Sequence, residues 1–266
     1  MKFNSPFVYA ILPLFAGMFM QSCSEEDTTP QNSSNSSPTC YVTQEVINDG
    51  DEIETITYNY NSQNQIISAT SMYEGENPET TYFEYLDNKI IKANDSYLTY
   101  EFDYIDNNSI PSRISLKEGN DYVGYYAIQS QGSNITEFEE HSLVDGEDFI
   151  DGLTTFQYDN NNNVSNSEYK EYDEETSSLE TLYTFKATSY DKKNNPYNKS
   201  FVFFFMDTGN PSKIGNENLV SGMLDLGGVE MPYTATYEYN SNDYPTDISI
   251  SVLGLANQTT VTYDCK

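Results

Sequence analysis

The sequence predicts an all-β protein: an antiparallel β-meander of repeated hairpins forming one large curved sheet or open barrel, with at most one short helix. Three observations carry this expectation. In the stretch from Ile56 to Ala69, Ile56, Tyr58 and Tyr60 alternate with polar residues, the period-two pattern of a half-buried strand. A polar turn, Asn61-Ser62-Gln63-Asn64, follows, and a second apolar run begins at Ile66, so the stretch reads as one hairpin. Finally, 24 Tyr, 14 Phe and no Trp, with an abundance of Asn, favour strands and turns over helices.

The hairpin unit recurs. With Tyr60 as register point, the pattern is an aromatic residue, Asn or Asp, two polar residues, Asn or Asp, any residue, then an apolar one. It returns at Tyr104 (through Ile110), Tyr158 (through Val164), Tyr190 (through Pro196) and Tyr239 (through Pro245), with a shorter copy from Tyr85 to Ile90. The copy at Tyr104 departs at its second position, which is Ile105. Turn chemistry accounts for the spacing. An Asn or Asp at the first position accepts backbone N–H bonds, and three residues on the chain needs a left-handed residue, for which Asn substitutes well for Gly. Asn64, Asn108, Asn162 and Asn194 occupy that place.

Strands are expected in the intervals: two within 45–60, then 80–85, 96–104, 113–117, 122–129, 135–143, 153–158, 180–189, 200–206, 233–239, 246–252 and 259–264. Short connections imply that successive strands pair. Phe201-Val202-Phe203-Phe204-Phe205 lacks alternation, so this strand is expected to be covered on both faces or to lie beneath a helix, with 217–226 as the cover. Residues 217–226, with Leu219, Met223 and Leu226 at helical spacing before Gly227-Gly228, are the expected helix.

The first 22 residues read as a secretory signal: Lys2 gives a positive start, and an apolar run of about fourteen residues from Phe7 to Met20 is too short to span a bilayer. Met20-Gln21-Ser22-Cys23 resembles a bacterial lipobox. The resemblance implies that Cys23 is diacylated, becomes the first mature residue and is N-acylated, anchoring the chain to a membrane through several acyl chains. Ser24-Glu25-Glu26-Asp27 resembles the surface-export signal of Bacteroidota lipoproteins, which implies an outer-membrane protein facing the cell exterior; a charged spacer on a periplasm-facing protein is the alternative. Residues 23–39 form a Ser/Asn/Pro/Thr tether, in which Asp27-Thr28-Thr29 is similar to an O-glycosylation motif of this phylum. Residues 40–266 form a single repeat-built domain. Cys40 and Cys265 at its ends read as a disulfide in an oxidising envelope, two free buried thiols being the alternative. A bridge would make the first and last strands neighbours.

Chemistry has little to draw on. With 12 Lys and Arg against 42 Asp and Glu, the formal net charge is −30, which repels phosphate backbones and excludes nucleic acid as a natural partner. His141 is the sole histidine, and no nucleophile elbow accompanies it, so it reads as a hairpin histidine among acidic neighbours. No zinc set, phosphate loop or dinucleotide fingerprint is present, and no cofactor is expected. The acidic turns at 48–52 and 145–148 collect oxygen ligands but miss the calcium-loop register and read as solvated turns.

The repeat resembles the YD repeat, with Asn in place of its usual Gly and no Arg after it. The segment from Tyr190 to Tyr197, together with Tyr237 to Pro245, is similar to a group of Bacteroidota lipoproteins of no assigned activity. The resemblance covers 40–266 and implies an antiparallel meander without site residues. The functional expectation is a non-enzymatic surface lipoprotein whose β-domain binds or scaffolds an extracellular protein or glycan. The alternatives are a glycan-binding accessory of a nutrient-uptake system and a carboxylate-dependent hydrolase.

Overall fold

The structure, a computed structural model, describes residues 38–252 and 254–266; the expected signal peptide, Cys23 and all of the expected tether but Pro38 and Thr39 lie outside the described residues. Sixteen strands follow one another: β1 (Cys40–Asn48), β2 (Ile53–Tyr60), β3 (Ile66–Tyr73), β4 (Glu79–Leu86), β5 (Lys89–Asn94), β6 (Thr99–Asp103), β7 (Arg113–Glu118) and β8 (Asp121–Gln131). The second half comprises β9 (Asn134–Val144), β10 (Glu147–Tyr158), β11 (Val164–Asp173), β12 (Ser178–Tyr190), β13 (Leu219–Leu226), β14 (Val229–Tyr239), β15 (Pro245–Val252) and β16 (Leu255–Cys265).

Each strand pairs antiparallel with its sequence neighbours, as the meander predicts, but the sheet is neither an open sheet nor an open barrel. It closes. β1 pairs with β16 from Cys40 opposite Cys265 to Asn48 opposite Gln258, and the Cys40–Cys265 disulfide joins the seam with Cα atoms 4.0 Å apart. Closure removes both edges, the parts of a long sheet most prone to pair with another chain.

Two expectations are corrected between β12 and β13. Phe201–Met206 is not a strand but the helix α1. Its Phe side chains are enclosed by the barrel, where a lone strand would have no ladder to satisfy its backbone. A helical turn satisfies its own, and Ser200 caps it by accepting from the Val202 N–H. Conversely, the expected helix over 217–226 is largely β13, which bridges β12 and β14 with a ladder on each side. Gly222 of this strand makes room for Phe185, whose ring lies where a Cβ would stand. The polar strand β11, with little apolar alternation, falls outside the expected intervals, as does β5.

The repeat turns gather at one end, the entry end, where the chain enters β1 at Cys40 and leaves β16 at Cys265. The remaining hairpin loops form the far end. As expected, the first turn residue accepts backbone N–H groups: Asn61 from Gln63 and Gln65, Asp159 from Asn161 and Asn163, Asn240 from Asn242 and Tyr244. Asn64 and Asn162 are left-handed, each at φ 61°, but Asn108 and Asn194 are not; Asp106 (φ 55°) and Lys192 (φ 62°) take the conformation instead. In those two places the chain leaves the tight hairpin for longer connections, 104–112 and 191–218, so the left-handed residue comes two positions earlier.

The repeated tyrosine has a structural reason at five of its six register positions; in the last copy Tyr239 bonds Asp191 instead, Tyr237 two residues earlier takes the capping place, and Tyr263 of β16 caps in the same way. Tyr60, Tyr85, Tyr104, Tyr158, Tyr190, Tyr237 and Tyr263 donate their hydroxyls to the backbone carbonyls of Val42, Ile66, Ile90, Ile135, Val164, Leu219 and Pro245, at 2.5–3.0 Å. These carbonyls lie at or near the start of the preceding odd-numbered strand, several beside a bulge that disrupts the ladder. One repeat's tyrosine therefore caps the carbonyl released by the repeat before it. The β7–β8 pair differs: there the Ile128 N–H donates to the Ser112 carbonyl.

Candidate functional site

Alternation assigns the two faces of the wall. Side chains in register with the buried core point inward, and their neighbours point outward. The outer face is largely polar on several strands: Thr55, Thr57 and Asn59 on β2, with Ile53 the exception; Glu230, Thr234, Thr236 and Glu238 on β14, with Pro232; Asp247, Ser249 and Ser251 on β15; Gln258, Thr260 and Thr262 on β16, with Ala256. The inner face is apolar toward the entry end, where Val42, Ile66, Val164 and Leu219 are at most 1% exposed.

The segment 191–218 enters the barrel and fills part of it. Phe203 packs edge-on against Tyr58 and Tyr197, Phe204 against Phe138 and Phe156, and Phe205 against Phe83, Tyr100 and Phe102. All the wall partners are on β2–β10. A buried carboxylate anchors this plug. Glu45 of β1, 1% exposed, accepts from the Tyr58 and Tyr197 hydroxyls at 2.7 Å each and pairs with the Lys213 ammonium at 3.0 Å. Burial alone would raise its pKa; the Lys213 charge and the hydrogen bonds outweigh this and hold it lowered.

Above α1, toward the far end, the inner wall changes character. Phe138, Thr154, Tyr169 and Tyr183 stand side by side on β9, β10, β11 and β12. The next layer outward is Tyr126 on β8, Glu140 on β9, Gly152 on β10, Glu171 on β11 and Glu180 on β12. Gly152 is small because Tyr169 lies across it: the Tyr169 hydroxyl and Glu140 Oε1 both fall within 3.4 Å of where a Cβ would stand. The Tyr169 and Tyr183 rings are 5.5 Å apart. From the plug, Asp207 adds a carboxylate bonded to the Asn210 amide at 2.9 Å.

Burial raises the Glu140 carboxyl, reinforced by the like charges of Asp151 and Glu171. Asp207 is raised by burial against the partial compensation of Lys213. Burial, with Glu140 and Asp207 adding to it, pushes the Tyr183 hydroxyl up to about 12. These groups are deep in the molecule yet Tyr126, Glu140, Tyr169, Tyr183 and Asp207 all keep partial exposure. Inward-facing residues nearer the far rim are open outright: Tyr73 is 42% exposed, and Glu171 and Glu180 are exposed. The inner face is thus sealed toward the entry end and accessible from the far end.

Charge follows the same axis. The far-end loops carry Asp49, Asp51, Glu52, Glu74, Glu76, Glu174 and Glu175 and no Lys or Arg, whereas the entry-end connections mix Asp87, Asp106, Asp159, Asp191 and Asp243 with Lys192, Lys193 and Lys199. A shallow polar groove of about 560 Å³ between loops 74–78 and 95–98 also opens at the far end, lined by Glu76, Asn77 and Tyr97.

His141 is on the outer face of β9, not in the interior. It stacks on Tyr125 at 4.2 Å, with the Arg113 guanidinium on the ring's other face at 3.6 Å. Its ring nitrogens meet Asp148 at 2.9 Å and Glu139 at 3.1 Å. This cluster holds no positioned serine and braces the β8–β10 wall. The acidic turns at 48–52 and 145–148 are far-end loops, and Asp49 accepts from its own loop's Asp51 and Glu52 N–H groups, as a turn residue does. Among the described residues no group of three His, Cys, Asp or Glu is placed to hold a metal. The Tyr126–Glu140–Tyr169–Tyr183 cluster was not expected from sequence, since its members come from four strands and only their register unites them.

No protein-family model matches the chain, and no curated protein matches it in sequence. Among the solved structures that share the fold are two porin-like proteins. A porin-like protein from Bacteroides uniformis superposes with a TM-score of 0.59 at 15% identity, covering 85% of this chain and 96% of its own. A porin-like protein from Bacteroides vulgatus gives 0.58 at 11% identity, covering 84% and 98%. Both are similar to this chain in architecture, a likeness of fold alone.

Proposed function

We propose that the chain is a non-enzymatic, lipid-anchored β-barrel of the outer membrane, facing the cell exterior, that receives a ligand through its far end. The observation that carries this reading is the polarity of the wall. A barrel that crosses a bilayer presents an apolar band about 25 Å tall to lipid, and a charged side chain there costs up to about 2–4 kcal/mol. Here the outward positions of β2, β14, β15 and β16 are Thr, Ser, Asn, Gln, Asp and Glu, with Ile53, Pro232 and Ala256 as the exceptions, far short of a continuous apolar band. Such a wall faces water, so attachment to a membrane falls to the lipid expected on Cys23. The fold is shared with porin-like proteins; the pore is not carried over with it.

The test compares the full chain with its Cys23→Ser variant. The full chain should partition with membranes, and the variant should be folded and monodisperse in buffer without detergent. A variant that stays folded only in detergent would overturn the reading of the wall. Protease added to intact cells then decides orientation: cleavage supports the exterior, and protection in intact but not permeabilised cells places the domain on the periplasmic face.

A further inference from the structure

We infer that the outer surface at the entry end, between β3 and β7, seats the barrel on a bilayer, with Ile67, Leu86, Ile91 and Ile105 as the side chains that meet lipid. The inference rests on the proposed lipid anchor and names the part of the barrel that this anchor brings against the membrane.

The distribution of exposed apolar side chains carries it. Around the far rim, large apolar residues such as Ile53, Met72, Tyr97, Tyr122, Val144 and Val229 are spread over all sides, interleaved with acidic loops. In the entry half, among the described residues, they are confined to one sector: Ile67 on β3 (40% exposed), Leu86 on β4 (60%), Ile91 on β5 (39%) and Ile105 just after β6 (61%). Tyr82, midway along β4 and also exposed, borders the sector. Successive turns join there into one rim: the Gln65 amide donates to the Asn88 side-chain oxygen at 3.2 Å, and the Lys89 ammonium to the Asp106 carbonyl at 3.2 Å.

The hairpins do not require these residues. The bulge in each of four repeat copies leaves one residue of the odd-numbered strand out of register: Ile67, Ile91, Ser165 and Thr246. A bulge re-aims the side chain it carries. The first two positions are exposed isoleucines, whereas the equivalent positions of the second half are polar and build the same turn. Exposed aliphatic side chains gathered on one side of a water-facing wall mark a contact surface.

The place of that surface identifies what covers it. The chain enters β1 at this end, so the lipid expected on Cys23 is tethered here. β5 is four strand spacings from β1, roughly 20 Å around the wall, and a tether of about fifteen residues spans roughly 20–25 Å. A bilayer that holds the acyl chains is therefore within reach of the sector, and aliphatic side chains entering it add their burial to that of the lipid. Glu84, Asp87 and Asp106 are interspersed with Lys89 and Lys92, so the sector has no net positive charge, and the contact is apolar, suited to zwitterionic rather than anionic headgroups. A second copy of the chain is the poorer fit, because each carries a net charge of −30.

The chain has no Trp, so one introduced tryptophan reports one place. The full lipidated chain carrying Leu86→Trp, Ile105→Trp or, as far-end control, the equally exposed Val229→Trp is bound to phosphatidylcholine vesicles whose acyl chains carry bromine, a contact quencher. Emission should fall about twofold or more for Leu86→Trp and Ile105→Trp and stay unchanged for Val229→Trp. Adding Ile67→Glu and Ile91→Glu to Leu86→Trp should abolish the quenching while the chain still floats with the vesicles through its lipid. Thermal melts establish that the variants are folded. Vesicle-bound chains in which Leu86→Trp and Ile105→Trp are unquenched would overturn the inference and leave the anchor standing, as would equal quenching of Val229→Trp. A blue-shifted Leu86→Trp emission without vesicles, together with dimeric sedimentation, would overturn it in favour of a second copy. A wild-type chain that does not float with vesicles would overturn the anchor and the inference together.

Discussion

Replacing Lys213 by Met isolates the anchor that holds the plug. The substitution keeps most of the apolar stem and removes the ammonium that pairs with Glu45 at 3.0 Å. Glu45 then remains 1% exposed with two hydroxyl donors and no counter-charge. Removing one partner of a buried pair typically costs about 3–5 kcal/mol, whereas an exposed pair is worth about 0–1 kcal/mol. The assay is urea unfolding followed by tyrosine fluorescence, accepted only where the slope with denaturant is unchanged, with hydrogen exchange of the α1 amides reporting release of the plug. The pH dependence sharpens the test. In the wild type Glu45 is lowered from 4.5, so its contribution is fully present above that value and is lost as pH falls through the folded one. Without Lys213, burial is the largest influence left and raises Glu45, so protonation relieves the variant, and the difference between the two proteins should shrink from pH 6 to pH 4. A cost below about 0.5 kcal/mol that does not vary with pH would show that the pair behaves as a surface contact, and the plug would then rest on its phenylalanines alone.

Other consequences are measurable. Reducing the Cys40–Cys265 bridge opens a loop of 225 residues and should cost up to about 5 kcal/mol by the chain-entropy relation; an unchanged melting temperature in reductant would contradict the seam. Tyr85→Phe should cost about 1 kcal/mol by uncapping the Ile66 carbonyl, with a null effect expected instead at the exposed Tyr82. The capping tyrosines have folded pKa values raised above 10, Tyr104 to about 12 chiefly through burial. Their contribution is complete below pH 10 and lost as pH rises through the folded values, so stability should fall steeply above pH 10, with tyrosinate absorbance and unfolding rising together. Gly222→Ala should cost about 1–3 kcal/mol, because its methyl would fall on the Phe185 ring; a neutral effect would mean that this side of the interior is loosely packed.

The hairpin architecture was legible because turn chemistry is local. Asn61, Asp159 and Asn240 accept N–H groups from within five residues of themselves, which a sequence displays directly. The capping tyrosines were visible as a periodicity, but their partners are 14–26 residues away and appear only once strands are paired. Phe201–Phe205 shows where pattern reading fails. An apolar run buried on all sides is consistent with either a central strand or a buried helix, and periodicity cannot choose between them. The decision lay in the missing ladder inside a closed wall. Closure itself was half-written in Cys40 and Cys265, which required the first and last strands to meet. The site was not written at all: Tyr126, Glu140, Tyr169 and Tyr183 are spread over 58 positions and converge by register.

The same closure explains why the molecule is divided along its axis. Sixteen strands enclose more space than wall side chains can fill; barrels of this size ordinarily leave an aqueous channel. A water-facing barrel must close that space with apolar side chains or line it with polar ones. This chain does both, in different halves. The longest entry-end connection among the described residues, 191–218, folds inward and contributes Phe203, Phe204 and Phe205 to a core with β2–β10. The plug reaches Gly209, where the Tyr183 hydroxyl lies 3.6 Å from the place a Cβ would take, and then turns back through Lys213 to Glu45. Where it turns back the inner wall becomes tyrosine and carboxylate. The turn of the plug thus marks the boundary between the two halves of the interior, and deleting 207–213 would remove that boundary and the Lys213 anchor together. Plug anchoring and the accessibility of the far half are therefore coupled through one short turn, so loosening the plug with Lys213→Met should speed hydrogen exchange in α1 and at Glu140 together.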